Sequence, residues 1–177
     1  TYDDQGNLTS ETDPLGNVTR YTYDAHGQRV SATDPLGNTT SYTYDDYGNL
    51  IKVVDPEQFA TTYTYDAAGN LLTQTDANGR TTTYAYDALD RVIRTVLPDG
   101  SVAQYQYDAS GSLVKTINTL GNATGFAYDA RHQLVSATDA LNQTTAYVRD
   151  AVSNIAQVND ANGHTTSYDY DAFGRVT

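Results

Sequence analysis

Polar and apolar residues alternate along this chain in short bursts, each closed by a turn signal. In residues 17–23, Thr and Tyr alternate with a period of two, the pattern of a strand with one covered face and one wet face. A second kind of segment, represented by residues 69–76, opens on the aliphatic pair Leu71-Leu72 and continues in Thr and Gln, predicting a less apolar strand. Between the two lie turn sequences such as Asp3-Asp4-Gln5-Gly6 and Asp13-Pro14-Leu15-Gly16. Asp in first place can bond the backbone, Pro in second place has φ already near −65°, and Gly in fourth place completes the preferences of a type I turn. Gly directly after such a turn suits the left-handed residue of a bulged hairpin loop.

These segments recur with a period of 21 residues. Tyr-Asp stands at Tyr2, Tyr23, Tyr44, Tyr65, Tyr86, Tyr107, Tyr128 and Tyr170, and the remaining slot, Arg149-Asp150, keeps only the Asp. Two residues before these slots stand Tyr21, Tyr42, Tyr63, Tyr84, Tyr105, Phe126, Tyr147 and Tyr168. Two positions therefore explain 15 of the 16 Tyr, leaving Tyr47 at a turn. Asp24, Asp45 and Asp66 with Gly27, Gly48 and Gly69 exemplify the first turn, and all four Pro share one slot in the second. The whole chain, 1–177, reads as a single array of eight complete repeats, 2–169, and a partial ninth, 170–177, a segment of a larger protein.

A 21-residue unit that reverses twice leaves no room for the helical crossover that parallel pairing needs, so successive strands should pair antiparallel as a meander. The fold class expected is all-β: tandem antiparallel hairpins in a long sheet, with two tyrosine ladders on one face and Leu, Val or Ile filling between them. One hairpin alone cannot offset its ordering entropy, so each repeat depends on its neighbours. The tyrosine and turn positions named above are accordingly expected to be architectural.

Composition narrows the function. Without Cys there are no disulfides, thiolate metal sites or thiol nucleophiles. No apolar run approaches the roughly 20 residues that cross a bilayer, so membrane insertion by this segment is not expected. Thr1-Tyr2-Asp3 is neither basic nor apolar, which puts any export signal outside this segment. The net charge of −12 opposes nucleic-acid binding, and the ten Lys and Arg are scattered. Most of the acidity is turn chemistry: 15 of the 20 Asp fill two turn slots. Calcium needs several converging oxygens, and Asp-x-x-Gly-Asn offers one or two. His26, His132 and His164 occupy unrelated repeat positions, and no Ser or Thr sits in a nucleophile elbow. Neither catalysis nor a metal or other cofactor is expected.

Tyr-Asp-x-x-Gly-Asn-Leu followed by Thr-Asp-Pro-Leu-Gly-Asn-x-Thr-x-Tyr-x-Tyr-Asp, in residues 2–24, resembles the YD repeat of the RHS family, and the resemblance covers essentially the whole chain. That family comprises bacterial Rhs polymorphic toxins, the C components of Tc toxin complexes, wall-associated proteins and teneurins. The resemblance implies a twisted, curved sheet that spirals into a shell, and a structural segment that encloses and protects a toxin or other effector. The partners implied are flanking repeats, an enclosed C-terminal effector of the same polypeptide, and delivery-system proteins. The location implied is secreted or cell-surface, in a bacterium. The family's closing segment, its self-cleaving aspartate pair and its toxin domain have no counterpart here. A surface adhesion module binding glycan or a receptor through exposed Tyr, and a simple spacer, remain open alternatives. Departures from the repeat, namely Arg149, Asp90, His132, Ser153, Leu97 and Asn118, suggest local changes in turn geometry.

Overall fold

A computed structural model describes residues 1–177 and is all-β, with sixteen strands and no helix. Two compact units divide it, Thr1–Arg91 and Val92–Thr177. The first holds β1 (Ser10–Thr12), β2 (Val18–Tyr23), β3 (Arg29–Thr33), β4 (Thr39–Tyr44), β5 (Leu50–Val54), β6 (Ala60–Tyr65), β7 (Leu71–Thr75) and β8 (Thr81–Tyr86). The second holds β9 (Val92–Val96), β10 (Val102–Tyr107), β11 (Leu113–Ile117), β12 (Ala123–Tyr128), β13 (Leu134–Thr138), β14 (Thr144–Arg149), β15 (Ile155–Asn159) and β16 (Thr165–Ser167). Within each unit every strand pairs antiparallel with its sequence neighbours, the meander expected from the repeat length.

The turns explain why the strands reverse where they do. At Asp45 the backbone N–H donates to the Asn49 carbonyl at 2.9 Å, and the Gly48 N–H donates back to the Asp45 carbonyl at 3.0 Å. Its carboxylate gathers the loop: Oδ1 accepts from the N–H groups of Tyr47 and Asn49 at 3.0 and 2.8 Å, and Oδ2 accepts from Asn49 Nδ2 at 3.0 Å. Gly48 then lies at φ +89°, where a side chain would be strained. The second turn repeats this scheme at Asp13, with Leu15, Asn17 and Gly16 in the same roles.

The departures from the repeat leave this geometry intact, contrary to the expectation of local change. Asp90, His132 and Ser153 occupy the glycine slot at φ 59°, 59° and 77°, and each still donates to the carbonyl that opens its turn. Leu97, with no side-chain acceptor, still closes its turn through Leu97 N–H to Ser101 O and Gly100 N–H to Leu97 O, both 2.9 Å. Asn118 supplies an amide oxygen in place of the carboxylate. The backbone pair of hydrogen bonds is the common element, so one missing side chain does not change the path.

Register then fixes two unlike faces. Tyr42 lies opposite Val53, Tyr63 opposite Gln74, Tyr105 opposite Thr116 and Phe126 opposite Ala137, and the YD tyrosine two residues on shares its face. The alternate residues point the other way: Thr22 faces Ser31, Thr43 faces Lys52, and Thr64 faces Thr73, with the Thr64 and Thr73 hydroxyls 2.7 Å apart. No residue is fully buried, because no second layer covers either face. Apart from Glu11, Arg29 and Thr166, which are exposed, strand positions on the tyrosine side are half-buried by their lateral neighbours alone.

Candidate functional site: the tyrosine face

The aliphatic pair that opens each odd-numbered strand from β5 onward has a specific place on this face. Tyr44 pairs with Leu50, although regular register from Thr43 opposite Lys52 would put Ile51 there, so Ile51 is the extra residue of a β-bulge. The same shift occurs at Tyr23, Tyr65, Tyr107, Tyr128 and Arg149. In an unbroken strand two adjacent aliphatics would point to opposite faces. The bulge brings both to the tyrosine side. Sequence reasoning missed it, and the paired aliphatics after each first turn were the signal that could have found it.

The bulge leaves a backbone carbonyl outside the ladder, and the next repeat's YD tyrosine takes it. Hydroxyl-to-carbonyl bonds run from Tyr23 to Leu8, Tyr44 to Arg29, Tyr65 to Leu50, Tyr86 to Leu71, Tyr107 to Val92, Tyr128 to Leu113 and Tyr170 to Ile155, at 2.9 to 3.1 Å. Each spans 15 residues and ties one hairpin to the one before it. Burial pushes the Tyr65 and Tyr86 phenols up, so they remain protonated donors. Tyr2 is 70% exposed and makes no such bond.

Arg149 shows what the slot requires. Its Nη2 approaches the Leu134 carbonyl at 3.4 Å, the acceptor a tyrosine there would reach, and Nη1 donates to Ser153 O at 3.0 Å. Its Nε is buried without a partner. A long donor at this position keeps the link between repeats, though at greater distance and with one polar atom stranded.

The other aromatic slot behaves differently. Tyr21 donates to Glu11 at 2.5 Å, and this bond raises its pKa. Tyr42, Tyr63, Tyr84, Tyr105 and Tyr147 are half-buried on the same face, as is Phe126, while Tyr168 is 37% exposed near the end of the chain. Arg29, in the aliphatic slot, lies between the Tyr21 and Tyr42 rings at 5.4 and 5.1 Å from their centroids.

Charge follows the same division. Arg20, Lys52, Arg94 and Lys115 all stand on the face opposite the tyrosines, among Thr, Ser and Gln. The acids collect at the turns, where Asp24, Asp45 and Asp66 head three of the first turns. Hydrogen bonds from Asn side chains and backbone hold Asp3, Asp13, Asp34 and Asp45 below the usual carboxylate range, and at Asp87 the Arg91 guanidinium does the same.

No group of three or more His, Cys, Asp or Glu side chains converges as a metal site would. Ser112 Oγ lies 3.5 Å from His132 Nδ1, a long contact between exposed turns. Gln28 to Gly48 O and Asn70 to Asp90 Oδ1 occupy the same repeat positions, so this contact belongs to turn-to-turn stacking. Asp108 Oδ1 holds the backbone of Ser110 and Ser112.

Comparison with known proteins gives one family. The RHS repeat profile matches residues 2–39, 23–60, 44–77, 65–102, 86–123, 107–146, 128–165 and 149–177. No curated protein matches. Among solved structures, a TcdB2-TccC3 crystal structure aligns with TM-score 0.75 at 20% identity, covering 97% of this chain and 12% of that one. A TcdB2-TccC3-Cdc42 crystal structure aligns with TM-score 0.73 at 22% identity over 99% of this chain and 11% of that one. The Photorhabdus luminescens Tc holotoxin pore aligns with TM-score 0.66 at 20% identity, covering 91% and 12%. These likenesses establish the fold, and the chain spans only about a tenth of the structures it resembles. With its profile repeated across essentially its whole length, this chain belongs to the RHS repeat family.

Proposed function

We propose that this segment is a wall element of an RHS-type β-shell, with its tyrosine face turned toward an enclosed polypeptide effector of the same parent chain. The observation that carries the reading is the inequality of the two faces. One presents Tyr, Val, Ile and Leu without a covering layer, and the other presents hydroxyls, Arg and Lys. A half-covered apolar face of this kind marks an interaction surface. A partly unfolded polypeptide fits it, offering apolar side chains to the ladders and backbone groups to the free hydroxyls. The named tyrosine, Asp and Gly positions then serve as architecture, the segment performs no catalytic step, and the shell acts outside the cell that makes it. Likeness to Tc toxin structures supports this context.

Neighbouring residues on one strand provide the test. A photo-crosslinking residue at Val53, on the tyrosine face, or at Lys52, on the other, is introduced into the full-length parent. Crosslinks to the effector from position 53 and none from 52 are expected. Crosslinks from 52 alone, or from neither site, would overturn the reading. Saturable binding on a glycan array, lost in Tyr42→Ala and Tyr63→Ala, would instead favour adhesion.

A further inference from the structure

The repeat generates Asn-x-Thr, the acceptor sequence for N-linked sugar, at five turns: Asn7-Leu8-Thr9, Asn17-Val18-Thr19, Asn38-Thr39-Thr40, Asn122-Ala123-Thr124 and Asn142-Gln143-Thr144. The fold does not treat the five alike. Transfer joins Nδ2 of the amide to the anomeric carbon of an activated sugar, with loss of a proton from nitrogen and departure of the donor's phosphate-bearing leaving group. The nitrogen must therefore be free to meet the donor.

At three of the turns it is not. Nδ2 of Asn7, Asn17 and Asn38 donates to the carboxylate that heads the turn, Asp3, Asp13 or Asp34, at 3.0, 2.8 and 2.8 Å. These amides are working parts of the loop. Asn122 and Asn142 are exposed and their side chains have no partner in the protein. The reasons are local. The turn before Asn122 is headed by Asn118, whose amide oxygen is already engaged by the backbone N–H groups of Leu120 and Asn122. Asn142 stands in the glycine slot at φ 60°, one position before the residue that would face the carboxylate. Beside Asn122, a side chain built at Gly121 would meet nothing within 4 Å, so there is room for a bulky group.

We propose that Asn122 and Asn142 are acceptor sites for an N-linked sugar, and that Asn7, Asn17 and Asn38 are masked by their turn aspartates. Both acceptors lie on second turns one repeat apart, at the rim of the strands and clear of the tyrosine face. Sugar there would coat the rim without blocking that face.

The purified folded chain is incubated with UDP-glucose and a soluble N-glucosyltransferase specific for Asn-x-Thr, then analysed by intact mass and peptide mapping. One hexose at each of Asn122 and Asn142 is expected, each lost in Asn122→Gln or Asn142→Gln. Asp34→Ala should open Asn38 as a third site, while the urea-denatured chain should accept sugar at all five. No hexose on the folded chain, equal occupancy of all five sites, or an Asp34→Ala variant that leaves Asn38 unmodified would overturn the proposal.

Discussion

Replacing Tyr65 by Phe isolates the bond that joins one hairpin to the next. The variant keeps the ring and removes only the hydroxyl that donates to the Leu50 carbonyl at 2.9 Å. A neutral hydrogen bond of this kind contributes about 0.5–1.5 kcal/mol net, and because Leu50 is only half-buried, water can partly replace it, giving a loss near 1 kcal/mol. Tyr65→Ala removes the ring as well. Half of the roughly 200 Å² that a tyrosine can bury, at about 25 cal/mol per Å², adds about 2.5 kcal/mol. Urea unfolding of the whole chain measures both, with the midpoint moving down and the slope unchanged. Tyr2→Phe is the internal control, since Tyr2 makes no such bond and should stay within error of the parent. If Tyr65→Phe unfolds at the parent's midpoint, or Tyr2→Phe costs as much as Tyr65→Phe, the hydroxyl does not link repeats and the reasoning fails.

Three further outcomes follow from the same geometry. Arg149→Tyr should raise stability by about 1 kcal/mol in the same urea assay, because it restores a direct bond and removes a buried unpaired Nε; a neutral or lower midpoint would contradict this. Ser153→Gly relieves a left-handed residue at φ 77° and should raise stability by about 1 kcal/mol. Asp90→Gly relieves the same strain but loses the 2.7 Å bond from Asn70, so its change should be smaller, and equal gains in the two variants would count against the turn-to-turn bond. Acid should destabilise the chain: turn aspartates such as Asp3, Asp13, Asp34 and Asp45 bind protons less readily when folded, so their contribution is complete above the unfolded carboxylate range and is lost as pH falls below about 4. Circular dichroism melts that stay level between about pH 6 and about pH 2.5 would refute that coupling.

Strand positions, turn type and the shared face of the two tyrosine slots were legible because each rests on a local rule: alternation with period two, Asp first and Gly fourth in a turn, and a fixed repeat length. The bulge was harder. Leu50-Ile51 looks like an unexplained pair until Tyr44 is seen opposite Leu50, because bulges depend on how two strands meet. The hydroxyl bonds were out of reach for the same reason, since Tyr65 to Leu50 runs between hairpins and needs the bulged carbonyl to exist first. The departures misled in the opposite direction. Reading Asp90, His132 and Ser153 as disturbances assumed that glycine is required, whereas the two backbone bonds of the turn hold a non-glycine residue in the left-handed region. Arg149 looked like a lost tyrosine and proves to be a substitute donor.

Tyrosine is the residue that lets such a sheet stand one layer thick. A face built from Leu or Phe would gain its burial from a second layer, and would leave the bulged carbonyls at each repeat with nothing in the protein to bond them. The phenol rings instead lie against lateral neighbours on their own sheet, and each YD hydroxyl from Tyr23 onward finishes the hydrogen bonding of the preceding hairpin. Repeats can then be added without a core at right angles to the sheet, in keeping with the absence of any fully buried residue here. The arrangement leaves the hydroxyls of Tyr42, Tyr63, Tyr84, Tyr105 and Tyr147 unclaimed by the array itself, while charge is placed on the turns and the opposite face. A sheet of this construction can extend repeat by repeat and is left unsaturated on one side. That combination suits enclosure of another chain, and it is why the crosslinking contrast between Val53 and Lys52 bears directly on function.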